Sequence, residues 1–154
     1  MTELDAMDRR LLRALQKRGR LSNAELSAEV SLSPSACHRR VARLEREGVI
    51  AGYAALLDRE AVGRRVTVFV EITLAGQTEE AFDAFEIAVG RIPEILECHM
   101  TAGSADYLLK VVAADSEDFA SLHRGHLAKL PGVAKMQSSF SLRRVRETTE
   151  LPIV

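Results

Sequence analysis

Arginine side chains are concentrated in one short segment of the chain. Residues 34–46 contain four arginines, at positions 39, 40, 43 and 46, against a single acid, Glu45. Guanidinium groups bind phosphate oxygens through paired N–H donors, so such a cluster is typical of a nucleic-acid contact. It is equally typical of the solvated face of an ordinary helix. Which of these two interpretations applies depends on the elements predicted around the segment.

The arginine segment is predicted to be a helix with one buried face. Ser33 is suited to cap its start, and Pro34 occupies the first helical position, where its missing N–H costs nothing. The helix is expected to run to about Glu47, before Gly48. Three apolar residues have the spacing of one helical stripe: Cys37, Val41 and Leu44. The opposite face then holds Ser35, His38, Arg39, Ala42, Arg43 and Arg46.

Two further helices are predicted before this one. Asp5 is suited to cap the first, with Asp8 in its first turn. Ser22 and Glu25 have the spacing of a capping box at the start of the second. A short helix, a turn of about four residues and a helix with a basic face form a helix-turn-helix arrangement. Residues 1–50 are therefore predicted to bind double-stranded DNA.

In that motif the early turns of the second helix enter the major groove while flanking groups hold phosphates. The predicted base contacts are Ser35, His38 and Arg39. The predicted phosphate contacts, together with the free amides of the helix start, are Ser33, Arg40 and Arg43. Two alternatives stay open: Arg43 and Arg46 could form ion pairs within the helix, for example Arg43 with Glu47 one turn later, and His38 could simply be solvent-exposed. A dimer would place two such helices about one DNA turn apart, which predicts a pseudo-palindromic operator.

The rest of the chain alternates strands and helices. Residues 49–57 are predicted to be a connecting strand, and residues 51–65 as a whole join the two domains. Val66–Leu74 alternates apolar and polar residues, which predicts a half-buried strand. The expected elements after it are a helix from Thr78, strands near 96–101 and 107–113, a helix from Ser116 and a strand near 135–145. This order predicts an α+β fold in which residues 66–154 form a ferredoxin-like βαββαβ sandwich.

Two helices can cover only one face of the predicted four-stranded sheet. The other face is too apolar in places to be simply solvated, since it carries Thr67, Phe69, Thr73, His99 and Thr101. A second copy of the same sheet would cover it, which predicts a homo-oligomer.

The composition excludes several other classes of protein. Hydrophobic residues make up 47% and charged residues 28% of the 154 positions, too apolar for a wholly disordered chain. No apolar run reaches the ~18–20 residues of a membrane span, and the acidic first residues are unlike a signal sequence. With only two cysteines, a reduced cytoplasmic protein is the default expectation.

Catalysis and thiol sensing are the alternatives to DNA binding. No catalytic-triad spacing, phosphate loop or zinc-binding His-Glu-x-x-His motif occurs. His126 falls on the apolar stripe of its helix, which is more typical of a core histidine than of a metal ligand paired with His123. Cys37 and Cys98 both fall on predicted buried faces, where thiols are unreactive. We therefore expect no enzymatic activity, no metal site and no cofactor.

Short motifs spread over the whole chain have the order and spacing of one known family. In the first half they are Leu4-Asp5, Asp8-Arg9, Gly19 to Ser22, Leu32 to Ser35, Arg40-Val41, Arg43 to Glu45, Gly48 to Ile50 and Gly52-Tyr53. In the second half they are Glu97-Cys98, Gly103, Asp106 to Lys110 and Leu130 to Val133. With these motifs the chain resembles the Lrp/AsnC (leucine-responsive, feast/famine) family of bacterial and archaeal transcription factors.

The resemblance implies a winged or plain helix-turn-helix reader followed by an oligomerising, effector-binding domain. It implies homodimers that assemble into octamers, a nucleoid-associated location in the cytoplasm, and a small effector, usually an amino acid, bound in clefts between dimers. On the family pattern the effector cleft would use Thr101, Ala102, Gly103, Asp106, Ser116, Ala128, Ser139, Phe140 and Ser141. From the residues alone, Asp106 could equally cap its own turn.

Two positions depart from the family pattern. Ser31 stands where a glycine is common in the helix-turn-helix turn, so it would either add roughly 1 kcal/mol of strain at a positive φ or tilt the third helix. Ala102 stands where a hydroxyl residue is common, which leaves the identity of the effector open. An effector-independent, architectural DNA-binding protein is the second functional hypothesis.

Overall fold

The computed structural model describes residues 3–153, which form two compact units. The first unit comprises residues 3–56 together with 146–153, and the second is Leu57–Val145. The domain boundaries at residues 50 and 65 stay a prediction. The structure differs from the predicted division in one respect. The end of the chain, which the sequence grouped with the second domain, lies in the first unit.

The first unit is built on three helices: α1 at Ala6–Lys17, α2 at Asn23–Val30 and α3 at Pro34–Arg46. The predicted caps are confirmed, because side chains of Asp5, Ser22 and Ser33 accept hydrogen bonds from the first free amides of α1, α2 and α3. The helices enclose a small apolar core that contains Leu11, Ala14, Leu26, Val30 and Cys37. α2 and α3 thus form the predicted helix-turn-helix.

The turn between α2 and α3 contains the one described non-glycine residue with a positive φ. Ser31 has φ 60° and ψ 47°, the left-handed conformation that ends α2. The expectation drawn from the missing glycine is therefore confirmed. A side chain in this conformation costs about 1 kcal/mol relative to glycine.

The second unit is a four-stranded antiparallel sheet with two helices on one face. Its elements are β1 at Val66–Leu74, α4 at Glu79–Val89, β2 at Ile95–Met100, β3 at Tyr107–Ala113, α5 at Ser116–Gly125, a 3-10 turn at Leu127–Lys129 and β4 at Val133–Phe140. The strand order β2-β3-β1-β4 is that of the predicted ferredoxin-like sandwich. Alternate residues of β1, from Val68 to Leu74, pack with Phe85 and Val89 of α4 and with Phe119 and Leu122 of α5 to form the core.

Three expectations about local structure are wrong. The segment 49–57 forms no strand within the described chain, because a strand needs a neighbour for its hydrogen bonds and this segment has none there. Cys98 is exposed, since its strand β2 lies at the edge of the sheet. His126 is also exposed, because α5 ends at Gly125 and the chain leaves the helical stripe.

The segment that ends the described chain contacts α1. The side-chain amide of Gln16 accepts a hydrogen bond from Leu151 N (2.6 Å) and donates one to Leu151 O (3.2 Å). Arg13 Nη2 donates to Ile153 O at 2.7 Å. These bonds place residues 151–153 along the exposed side of α1. No helix within residues 3–153 is long and apolar enough to cross a membrane.

Candidate nucleic-acid interface and effector site

The exposed face of α3 is centred on one line of side chains. At 100° per residue, Ser35, Arg39 and Arg46 fall within about 40° of each other around the helix. All three are exposed, on the side opposite the buried Cys37 and Leu44. Ser33, at the helix start, uses its hydroxyl as the cap by accepting from Ala36 N at 3.2 Å. A serine and two cations therefore face away from the core along the length of α3.

Arg39 and Arg46 are the arginines of α3 that are available for an external anion. Within residues 3–153, Arg39 has no ion-pair partner. Arg46 has a side chain that is 73% exposed, and its nearest acid is Glu47, at 4.0 Å. The sequence placed Arg46 on the exposed face but did not select it. The signal was its angular position beside Arg39, because it lies seven residues, about two helical turns, after Arg39.

Arg40 and Arg43 have a different environment, because both contact acids of α1. Arg40 Nη1 donates to Asp5 Oδ2 at 2.6 Å and to Asp8 Oδ1 at 2.8 Å. Arg43 Nη2 donates to Asp8 Oδ2. The alternative partner considered for Arg43, Glu47, is therefore replaced by Asp8. The predicted phosphate contacts of these two arginines have to compete with ion pairs inside the domain.

His38 lies on the flank of α3, beside a cavity of about 260 Å³ within the first unit. Asn23, Glu45 and Tyr53 are among the other residues that line it. Tyr53 donates its hydroxyl hydrogen to Glu45 Oε1 at 2.9 Å. Burial, followed by the bond to Glu45, raises the pKa of Tyr53 to about 12. The phenol is thus a neutral donor at physiological pH, and His38 is exposed next to it.

Eight of the nine predicted effector residues form two separate groups in the second unit. Thr101, Ala102, Gly103 and Asp106 belong to the β2–β3 turn, where Asp106 N donates to Ile72 O near the end of β1. Ser116, Ser139, Phe140 and Ser141 lie near the start of β1, where Ser141 N donates to Thr67 O. At about 3.3 Å per residue, the two contact points on β1, Thr67 and Ile72, are roughly 17 Å apart. Ala128 lies in the 3-10 turn. A single chain therefore does not bring all nine residues into one pocket.

Asp106 holds the β2–β3 turn against the end of β1. Its carboxylate accepts from Leu74 N at 2.8 Å and from Gln77 Nε2 at 2.9 Å. Its backbone carbonyl accepts from Thr101 N at 2.8 Å. The sequence left open a structural role in which Asp106 caps its own turn, but its carboxylate instead binds residues at and after the end of β1. Gly103, at the tip of the same turn, is exposed, and a Cβ added there would meet no atom within 4 Å.

The thiols and imidazoles do not form a reactive group. Burial raises the pKa of Cys37. Partial desolvation of the Cys98 thiol, in a residue that is exposed as a whole, raises its pKa together with the charge of Glu86, so both thiols stay protonated at neutral pH. Within residues 3–153, no three His, Cys, Asp or Glu side chains come together as metal ligands.

Comparison with known proteins identifies the class to which this arrangement belongs. A model of winged helix-turn-helix DNA-binding domains matches residues 4–51. A model of the Lrp/AsnC ligand binding domain matches residues 67–151. A helix-turn-helix with an exposed basic helix, followed by an α+β ligand-binding domain, defines a DNA-binding transcriptional regulator.

Full-length relatives narrow this class to one family. The leucine-responsive regulatory protein of Escherichia coli K12 is 43% identical over 151 residues, which are 98% of this chain and 92% of that protein. A transcriptional regulator from Neisseria meningitidis, solved with L-methionine, has 39% identity and a TM-score of 0.93, with 97% of each chain covered. The feast or famine regulatory protein of M. tuberculosis, also solved with L-methionine, has 32% identity and a TM-score of 0.83, covering 97% of this chain and 99% of that one. The chain belongs to the Lrp/AsnC family of transcriptional regulators.

Proposed function

We propose that α3 contacts base edges in the major groove of DNA through Ser35, His38 and Arg39. The observation that carries this proposal is the exposed line of Ser35, Arg39 and Arg46, which has no competing acid of α1. Ser33 and the amides at the start of α3 are placed to hold a phosphate, because the positive end of the helix dipole attracts anions. Arg46 is added to the phosphate contacts. A phosphate contact of Arg40 or Arg43 stays a sequence-based prediction. The ion pairs of these two arginines with Asp5 and Asp8 make such a contact less favourable.

We infer that the regulator acts as a homodimer on a pseudo-palindromic operator, and that dimers assemble further into octamers. Support for the dimer comes from the second unit, whose helices cover one face of the sheet only. The uncovered face carries Phe69, which is 39% exposed and lies in register with Lys110 on β3 and Ser139 on β4. A second sheet placed on it would bury the apolar parts of this face.

We further infer that an amino acid is the effector and that its site lies between subunits. Two relatives have been solved with L-methionine, and this chain matches their whole length. The predicted effector residues lie at opposite ends of the sheet, so a cleft that uses both groups needs two copies of the chain. The backbone at Gly103 is suited to receive a carboxylate, because the residue is exposed and a Cβ added there would meet no atom within 4 Å.

We infer that the protein acts by binding alone, without catalysis, in the cytoplasm where it reaches the nucleoid. Its relatives are transcriptional regulators, and a regulator that reads DNA has to share a compartment with it.

Thermal unfolding of the full chain in the presence of each of the twenty amino acids tests the effector proposal. A ligand that binds only the folded protein raises its stability by about 2.7 kcal/mol at a hundredfold excess over its Kd. We expect one amino acid, or a few related ones, to raise the Tm. The same amino acids should change the affinity for DNA selected by the protein from a random library.

Gly103→Ala provides the matched variant for this experiment. A Cβ at Gly103 fits the fold but occupies the space where the effector backbone would approach, so the shift in Tm should be lost. Gly76→Ala is the control, because a Cβ there also meets no atom within 4 Å and Gly76 is outside the predicted site. If none of the twenty amino acids raises the Tm while DNA binding persists, the architectural alternative replaces this proposal.

A further inference from the structure

Asp8 is a buried carboxylate in a domain that otherwise keeps its charges at the surface. Its side chain is 0% exposed, and the other buried polar residue of the described chain is the neutral Ser27. A carboxylate removed from water is strongly destabilising unless its oxygens are paired. Loss of all the partners of Asp8 would therefore strongly destabilise the domain.

Three donors satisfy Asp8, and two of them come from α3. Asp5 N donates to Oδ2 at 3.1 Å, which closes the cap of α1. Arg40 Nη1 bridges Asp8 Oδ1 and Asp5 Oδ2, at 2.8 and 2.6 Å. Arg43 Nη2 donates to Asp8 Oδ2, and its Nε is also enclosed by protein. The guanidinium groups of Arg40 and Arg43 are thus attached to the first turn of α1.

The positions of the arginines around α3 divide them into two pairs. Arg40 and Arg43 are displaced from Arg39 by about 100° and 40° towards α1, whereas Arg46 lies about 20° to the other side of Arg39. A phosphate could recruit Arg43 only by leaving the buried Asp8 short of a partner. Arg39 and Arg46 would lose no buried partner on binding a phosphate.

We propose that Asp8 is a positioning residue for DNA binding, which fixes α3 to α1 and keeps Arg40 and Arg43 off the DNA phosphates. Asp5 assists by sharing Arg40. Only half of the arginines on α3 then neutralise phosphates. The sequence-independent part of the affinity is kept low relative to base contacts, so Asp8 favours discrimination between sites. This inference rests on the proposed use of α3 as the DNA-contacting helix.

The salt dependence of binding to a random-sequence DNA duplex counts the phosphates that the protein neutralises. The slope of log K against log[salt] changes by about 0.9 for each phosphate contact. On random-sequence DNA the base contacts proposed for Arg39 are mostly unmatched, so its guanidinium is expected to neutralise a phosphate instead. Arg39→Gln should then reduce the magnitude of the slope by about 0.9 for each bound α3. Arg40→Gln, at the adjacent position, should leave the slope unchanged, because Asp8 keeps Arg43 as a partner and the fold is retained.

Asp8→Asn is the decisive variant. Removing the carboxylate frees Arg43, whereas Arg40 keeps its bond to Asp5 at 2.6 Å. The slope should therefore become steeper, by up to about 0.9 for each bound α3. Binding to the random duplex should tighten at low salt. A purely structural role for Asp8 would lower affinity without steepening the slope. Adding Arg43→Gln to Asp8→Asn should reverse part of the increase.

The results of these variants show whether this inference fails alone or together with the proposed DNA interface. If Arg40→Gln reduces the slope as Arg39→Gln does, the two arginines contact phosphates and the inference is wrong. If folded Asp8→Asn keeps the wild-type slope, the inference is also wrong. If Asp8→Asn does not fold, the comparison of Arg40→Gln with Arg39→Gln decides. If Arg39→Gln, Arg40→Gln and Asp8→Asn all keep the wild-type slope, α3 is not the DNA-contacting helix, and both proposals fail.

Discussion

Asp5 combines two roles at the start of α1. Its Oδ1 accepts from Met7 N and Asp8 N, both at 2.8 Å, and its Oδ2 accepts from Arg40 Nη1. The bond from Asp8 N, followed by that from Arg40, lowers the pKa of Asp5 from 3.8 to about 2. Every one of these donors favours the ionised carboxylate. The cap of α1 and its attachment to α3 therefore depend on the charge of one residue.

The lowered pKa predicts how acid affects the stability of the first unit. The folded state binds the Asp5 proton more weakly than the unfolded state does. The stabilisation that the ionised Asp5 gives to the folded state is therefore complete above about pH 4. It is lost as the pH falls through about 2. Asp5→Asn should therefore be less stable than the wild type near neutral pH, and the difference should shrink as the pH falls from about 4 to about 2. Urea unfolding of both proteins across this range measures it, and a difference that stays constant with pH would contradict the prediction.

At the scale of elements, α1 connects distant parts of the first unit. Its first turn holds α3 through Asp8, and its later turns hold residues 151–153 through Gln16 and Arg13. The oxygen and the nitrogen of the Gln16 side-chain amide both bind the backbone of Leu151, as the N–H and C=O groups of a neighbouring strand would. The chain returns to the first unit only after Val145. Each described hydrogen bond between a helix and residues 151–153 involves α1.

Gln16→Ala tests whether the contact holds the end of the chain. The variant removes both hydrogen bonds to Leu151, each worth about 1 kcal/mol. Hydrogen exchange of the Leu151 amide should then become faster, by roughly tenfold or more. Arg10→Ala, at an exposed position of the same helix, should leave the exchange rate unchanged. Equal exchange in wild type and Gln16→Ala would show that Gln16 does not restrain the segment.

At the scale of the whole molecule, the uncovered face of the sheet is the feature that a single chain leaves unexplained. The core lies between the sheet and the two helices, so the residues of β1 that alternate with the core point to the other side. Thr67, Phe69, Glu71 and Thr73 form this outer row. Phe69 is the large apolar residue among them, and a dimer that packs sheet against sheet would bury it.

Phe69→Glu should therefore weaken the dimer. The introduced carboxylate would have to lose its water in the interface, and the neighbouring Lys110 already binds Glu97 at 2.7 Å. We expect sedimentation equilibrium to show a shift from dimers or larger assemblies towards the monomer. Ile87→Glu is the control, because Ile87 is 59% exposed on α4, away from the outer face. If Phe69→Glu associates as the wild type does, the sheet face is not the dimer contact.

Local signals in the sequence determined most of the fold. The caps at Asp5, Ser22 and Ser33, the bounds of β1 and β3, and the left-handed Ser31 follow from residues a few positions apart. Caps and hydrophobic periods act over one helical turn or one strand, so they can be recognised in the sequence itself. The ferredoxin-like order then followed, because few topologies connect such elements with short links.

The partners of charged side chains were decided only by the tertiary structure. Arg43 was expected to contact a phosphate or Glu47, but its partner Asp8 is 35 positions away in the sequence. Asp106 contacts Leu74, and Gln16 contacts Leu151, at separations of 32 and 135 positions. Cys98 alternates like a core residue, but its strand lies at the edge of the sheet. A side chain's type and period specify which way it faces, whereas its partner depends on which elements the fold brings together in space.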